Sequence, residues 1–210
     1  MDRNKIHSKA QNQLRIEINS FIMKTLFILC SSLFILTNAT AQESDNKQVL
    51  QTILINYYKK EKPVYKGRSQ LLYLYCSQAN NTEEMIEAIQ KNKLPNDFIA
   101  EIKTKMATDK TEKNWSTELN TIFEKDSLHL KIKVNECLSL EKYQEVSKRL
   151  NLNNQRLMII SKPLYYSKSN IALVKVVFYR NIEHNSSVIL LLEKVDSNWK
   201  IKDFLNPWST

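Results

Sequence analysis

A single glycine, Gly67, stands in 210 residues, where average usage would place about 7%. That scarcity excludes whole classes of site. Walker loops, dinucleotide fingerprints and nucleophile elbows need glycine wherever backbone must turn sharply or approach a ligand, and none can be built from this chain. Turn positions fall instead to asparagine, as at Asn80-Asn81 and Asn153-Asn154, because its side chain tolerates left-handed backbone. Scarce glycine beside abundant Lys, Asn and Ile also suits an AT-rich bacterial genome. Cysteine is almost as rare: Cys30, Cys76 and Cys137. With His129 and His184, the last two show no metal-ligand spacing, so neither zinc nor any other cofactor is expected.

Long apolar runs are missing too. The longest, Leu26 to Leu36, is interrupted by Cys30, Ser31 and Ser32 and is about half the roughly 20 residues that a membrane span needs. It lies in "MKTLFILCSSLFILTNATAQES", Met23 to Ser44. Met23-Lys24 makes a short positive start, the apolar run follows, and Ala39-Thr40-Ala41 closes it with the small-residue pattern of a signal-peptidase site. A lipoprotein would acylate Cys30, but Leu29 fills the preceding position, where a small residue is needed. Residues 1–22 are polar, mixed in charge and without apolar period; they read as an upstream extension before a true start at Met23. The expectation is a signal peptide over 23–41, one domain over 42–210, and export to the periplasm or beyond. No membrane span then remains after cleavage.

From Gln42 onward the chain holds 26 basic and 20 acidic residues, a net charge of +6, and no run of basic residues exceeds two. Nucleic-acid binding clusters Lys and Arg on one face with aromatics between them. This spread is that of a solvated surface, and nucleic acid is not expected as a partner.

Apolar period divides the 42–210 stretch into two halves. Val49, Leu50, Ile53, Leu54, Tyr57 and Tyr58 recur at helical spacing, and Pro63 and Gly67 end that unit. "SQLLYLYC", Ser69 to Cys76, is a short buried segment of undetermined type. Asn81, with Glu84 three residues on, makes a helix cap for Thr82 to Lys91. Leu94-Pro95 opens a helix carrying Phe98, Ile102 and Met106, and a turn or helix surrounds Trp115, Leu119, Ile122 and Phe123. Then the period changes. Leu128 to Val134 alternates as a half-exposed strand, and Ser139 caps a helix from Leu140 to Leu150. "LMIIS", "IALVKVVFYR", "SVILLLEKV" and "WKIKDF" follow as strands. The middle two are apolar on both faces and should be central, and Asp196-Ser197-Asn198 marks a tight turn between the last two. The class is α+β: a helical N-terminal half packed on one face of a mostly antiparallel C-terminal sheet.

"SKPLYYSKSNIALVKVVFYRNIEHNSSVILLLEKVDSNWKIKDF" resembles the C-terminal part of small secreted proteins of unknown function common in Bacteroidota. These have a "KP-aromatic" start, an "ALV" strand and a closing "W-K-I" strand. The ending is also loosely similar to NTF2-like or cystatin-like domains, whose last strands often carry such a Trp. The resemblance covers about 50 of 210 residues; it implies a fold neighbourhood and no activity.

Candidate chemistry concentrates in "RNIEHNSS", Arg180 to Ser187. Glu183 and His184 form a candidate acid–base pair, with Ser186 or Ser187 as nucleophile, although sequence neighbours on a loop seldom converge as a triad must. His129 falls on the polar side of its strand. Tyr165, Tyr166, Tyr179, Trp199 and Trp208 either pack in the core as cross-strand pairs or line an apolar cleft. Cys76 and Cys137 either form a disulfide, as exported proteins allow, or stay buried as thiols. The expected function is an exported binding or interaction module for a protein, peptide or small apolar ligand. The alternative is a small cofactor-free hydrolase or isomerase using Glu183 and His184.

Overall fold

The computed structural model describes residues 44–57, 72–108, 113–125, 137–149, 156–181 and 183–209. Expectations for residues 1–41, for the Leu128–Val134 strand with His129, and for the Asn153-Asn154 turn lie outside them. The chain divides into two units, Met1–Ser44 and Asp45–Thr210, and the second is the one described.

This unit opens on α1, helical through residues 45–57. Strand β1 (Leu72–Tyr75), helices α2 (Thr82–Lys91), α3 (Asn96–Thr108) and α4 (Ser116–Lys125), and the two-residue strand β2 (Cys137–Leu138) follow. Helix α5 (Leu140–Arg149) leads into β3 (Arg156–Ile160), β4 (Leu164–Tyr166), β5 (Ile171–Tyr179), β6 (Asn185–Val195) and β7 (Asn198–Ser209). The strands form one seven-stranded sheet of order β2-β1-β3-β5-β6-β7, with β4 also paired to β5. The α+β class is therefore observed, with most helices in the N-terminal half. The β5-β6-β7 meander is antiparallel, as its short connections require. At the other edge, β1 runs parallel to both β2 and β3.

Helices cover both faces of the sheet, which corrects the one-face expectation. On one face Ala172, Val174 and Val176 of β5 and Leu190 and Leu192 of β6 pack with Leu50, Ile53 and Leu54 of α1 and with Trp115, Leu119 and Ile122. The alternate residues Leu173, Ile189 and Leu191 pack on the other face with Met85, Ala88 and Ile89 of α2 and Phe98 and Ile102 of α3. Farther along that second face, Tyr143 and Val146 of α5 cover Tyr73 and Leu157. Strands apolar on both sides would expose one side to water unless both were covered; the two-sided runs thus forecast a third layer.

Segments β3 and β4 are one strand interrupted by a bulge. The register passes from Ile160↔Val176 to Leu164↔Leu173, so β3–β4 carries one residue more than β5 over that interval. The extra residue falls around Pro163, which has no N–H to give to a ladder. Strand β7 shows two similar shifts, between its pairings to Leu192 and Leu191 and between those to Ile189 and Ser187.

Left-handed backbone occurs at Lys93, Asp196, Ser197 and Asn206. Lys93 follows α2: its N–H donates to the Gln90 carbonyl (3.2 Å) and the Leu94 N–H to the Ile89 carbonyl (3.0 Å). That paired pattern closes a helix C-terminus, and its left-handed position is normally glycine. Asp196 and Ser197 form the two-residue turn between Val195 and Asn198, which pair at the end of β6–β7; positive φ at both residues matches the twist of the strands. Asn80-Asn81 does not use left-handed backbone: Asn81 has φ −124° and makes no side-chain cap bond. The cap is Asn80, whose Oδ1 accepts from the Thr82 N–H (3.3 Å) and hydroxyl (2.7 Å).

A side chain with Cβ is disfavoured at positive φ, and glycine's own entropic cost offsets part of the relief. Lys93→Gly and Ser197→Gly should therefore each raise stability by roughly 0.5–1 kcal/mol, read as a higher urea midpoint at unchanged slope.

Candidate functional site

Of the Arg180–Ser187 segment, Asn185 to Ser187 open β6, and the residues before them connect it to β5. Asn181 organises it: its Oδ1 accepts from the backbone N–H groups of Glu183 (3.0 Å) and His184 (2.8 Å) and lies 3.1 Å from His184 Nδ1. The Arg180 N–H closes the turn on the His184 carbonyl (3.3 Å). Glu183 and His184 are exposed. Ser186 and Ser187 are successive strand residues, opposite Phe178 and Val177, so their hydroxyls project to opposite faces. The geometry brings His184 to Asn181 and brings neither serine to the imidazole.

The aromatic candidates separate in the same way. Tyr165 and Tyr166 are neighbours on β4, so one faces each helical layer. Tyr165 packs at 5.4 Å, centroid to centroid, from Trp199, and its hydroxyl donates to Asn46 Oδ1 (2.8 Å). Tyr166 stacks at 4.9 Å on Phe98 of α3 and donates to Asp97 Oδ1 (2.5 Å). Tyr179 lies 6.1 Å from Tyr143 and accepts from Gln144 Nε2 (3.4 Å). Trp208 is 46% exposed on β7. Tyr165 and Trp199 pack together, and Tyr166, Tyr179 and Trp208 each lie apart from them.

Among the described residues, three polar clusters each tie one helix to the sheet. The first joins the start of α1 to the C-terminal hairpin. Asp45 Oδ1 accepts from Lys194 Nζ (2.5 Å) and Trp199 Nε1 (3.1 Å), and Thr52 Oγ1 donates to the Trp199 carbonyl (3.0 Å). Burial pushes the Tyr165 phenol well above its ordinary range, and the nearby Asp45 and Glu118 carboxylates add to that shift. It is a fixed hydrogen-bond donor at any physiological pH.

The second cluster joins α3 to the β4–β5 turn. Asp97 receives Tyr166 and Lys168 Nζ (2.6 Å). Glu101 receives the Ser167 N–H (3.0 Å to Oε2), the Ser167 hydroxyl (2.8 Å) and Lys105 Nζ (2.6 Å). The Lys168 and Tyr166 hydrogen bonds hold the Asp97 carboxyl below the usual carboxylate range. Burial opposes ionisation of Glu101, but the bonds from Lys105 and Ser167 outweigh it and lower its pKa. The Tyr166 phenol is pushed up to about 12, chiefly by its bond to Asp97.

The third cluster is the least legible in sequence. Lys175 sits mid-strand in β5 with a side chain only 7% exposed and ion-pairs with Glu84 of α2. Its backbone N–H donates to Ser161 Oγ (2.9 Å). The signal was the one charge inside "IALVKVVFY". Glu84, placed by sequence in a capping role, serves this lysine instead.

Cys76 and Cys137 are joined as a disulfide with Cα atoms 4.9 Å apart. Among the described residues, no group of three or more His, Cys, Asp or Glu is placed to hold a metal, and no helix is long and apolar enough to cross a membrane. Comparison with protein-family models, curated proteins and solved structures found no match.

Three outcomes follow from these placements. Trp199 is 6% exposed and packed into the α1-side core, so Trp199→Ala should cost about 3–5 kcal/mol. Glu183→Ala and His184→Ala, on an exposed turn, should stay within about 0.5 kcal/mol of the parent in denaturant melts. A carboxylate with a lowered folded pKa contributes stability that is complete above its unfolded pKa and is lost as pH falls through the folded value. The urea midpoint should thus fall as pH drops through and below the ordinary carboxylate range of about 4, and Asp97→Asn with Glu101→Gln should flatten that fall.

Proposed function

We propose that this chain is an exported binding module that docks a partner polypeptide and does not carry out bond chemistry. The observation that carries the reading is β7. It is a 12-residue strand at the edge of the sheet, and Phe204 and Trp208 on it are 44% and 46% exposed. Phe204 pairs with Leu190 and Trp208 with Ser187, so the two rings stand on opposite faces. An edge strand offers main-chain donors and acceptors to an added strand while flanking side chains select it, and Trp is enriched at binding hot spots. The two bulges and Pro207 break the edge into short runs. That limits indiscriminate pairing and restricts the register a partner strand can take.

Export is supported by the signal-like pattern from Met23 to Ala41 and by the Cys76–Cys137 disulfide, since such bonds persist in oxidising compartments. Protein recovered from outside the cytoplasm should begin Gln-Glu-Ser-Asp. With a photoreactive phenylalanine analogue in place of Trp208, it should cross-link to a discrete partner; the same probe in place of Glu83 on α2 should not. Equal labelling from both positions, or none from the Trp208 position, would remove β7 as the contact surface.

A further inference from the structure

We propose that the Cys76–Cys137 disulfide is a redox-operated latch, which holds the β2–α5 segment over the parallel edge of the sheet and releases it on reduction. The two sulfurs belong to unequal partners. Cys76 follows β1 and is bound into the body of the unit: the Trp115 N–H donates to its carbonyl (2.8 Å). The next residue, Ser77, bridges to Asn114, and Ala79 bridges to Ser161. Cys137 belongs to β2, which among the described residues meets β1 through two register pairs, Leu74↔Cys137 and Tyr75↔Leu138. One further backbone bond, Cys76 N–H to the Leu138 carbonyl (3.0 Å), reinforces that contact.

Beyond β2, α5 has little of its own to hold it. Among the described residues from Cys137 to Arg149, Leu138, Tyr143 and Val146 are the buried apolar side chains. They meet Tyr73 and Leu157 in the smallest of the three core clusters. The two larger clusters include no residue of α5 among their buried members, and the segment reaches the first of them only through the half-buried Cys137. Three buried side chains, the half-buried Leu140 and the Tyr143 and Gln144 contacts to Tyr179 must offset the conformational entropy of a strand, a connection and a helix. A covalent tie to Cys76 lessens that demand by confining the released state. Central pairing is of another order: β5 and β6 share nine register pairs, from Ile171↔Glu193 to Tyr179↔Asn185. Among the described residues, this segment therefore depends heavily on one bond, and local opening selects such parts.

Release needs a dithiol reductant. Its thiolate attacks Cys76 Sγ, the S–S bond breaks, and Cys137 leaves as a thiolate beside the Ser116 hydroxyl, whose oxygen lies 3.8 Å from Cys137 Sγ. The second thiol of the reductant then displaces Cys76. Two electrons pass to the protein, the reductant closes as a cyclic disulfide, and both cysteines end as thiols once protonated. With β2 gone, the outer edge of β1 and the ring of Tyr73 become accessible.

Amide hydrogen exchange on the full chain, oxidised and after dithiothreitol, tests this. Exchange in β1, β2 and α5 should rise at least about tenfold on reduction, while α2, α3 and the β5-β6-β7 meander stay protected. Unchanged protection over Cys137–Arg149 would overturn the proposal. So would loss of protection throughout the unit at one common rate, because the bond would then staple the whole fold. The Cys76→Ser/Cys137→Ser double variant, without reductant, should reproduce the reduced pattern; retention of the oxidised pattern would overturn the latch. Since reduction starts from folded protein, the comparison stands even where that variant fails to accumulate.

Discussion

Everything in this unit is arranged around β5 and β6, two paired strands that are apolar on both sides. Val174, Leu190 and Leu192 are fully buried on one face and Leu173 is fully buried on the other. A sheet of that kind is stable in water only when both faces are covered. The chain meets the demand with α1 and α4 on one side and α2, α3 and α5 on the other. The N-terminal half is thus a set of covers for a sheet whose centre is synthesised last. The helices carry single apolar stripes, so none is stable by propensity alone.

Polar contacts decide where each cover sits. The Asp45 carboxylate receives Lys194 and Trp199 across sequence separations of 149 and 154 residues, which brings the start of α1 to the last hairpin. Asp97 and Glu101 attach α3 to the β4–β5 turn. Glu84 attaches α2 to Lys175. In that last pair the Lys175 end is buried and the Glu84 side chain is 52% exposed. Such a pair adds little net stability against an apolar substitute, while removal of the carboxylate beside the buried ammonium is costly. Its effect here is on placement: α2 in a shifted register would leave the Lys175 ammonium buried without its carboxylate.

Near-absence of glycine is accommodated by strain at identifiable points. Lys93 takes the left-handed place after α2, Asp196 and Ser197 take the hairpin turn, and Asn206 lies at the second shift of register on β7. Asp and Asn accept such backbone at reduced cost through short polar side chains; Lys93 and Ser197 rely on the surrounding hydrogen bonds. Three of the four positions are on β7 or its turn. The strand with the most irregular backbone is also the one that presents Phe204 and Trp208 to solvent.

Local pattern was sufficient for the elements themselves. The α2 limits, the Ser139 cap of α5, whose Oγ accepts from the Lys142 N–H (3.2 Å), the central β5–β6 pair and the buried side of Trp199 all follow from periodicity and turn chemistry, which act between near neighbours. Two-sided apolarity in β5 and β6 also contained the third layer, although the one-face reading passed over it. What the sequence by itself could not determine was pairing between distant segments. It could not choose between disulfide and free thiols for Cys76 and Cys137, since that depended on β2 lying parallel to β1 across 61 residues. Nor could it separate Tyr165 from Tyr166, or give Glu84 to Lys175 in place of a helix cap. Those outcomes were decided by tertiary structure, because a hydrogen bond or a disulfide forms only between groups that the packing of the two faces has already brought within reach.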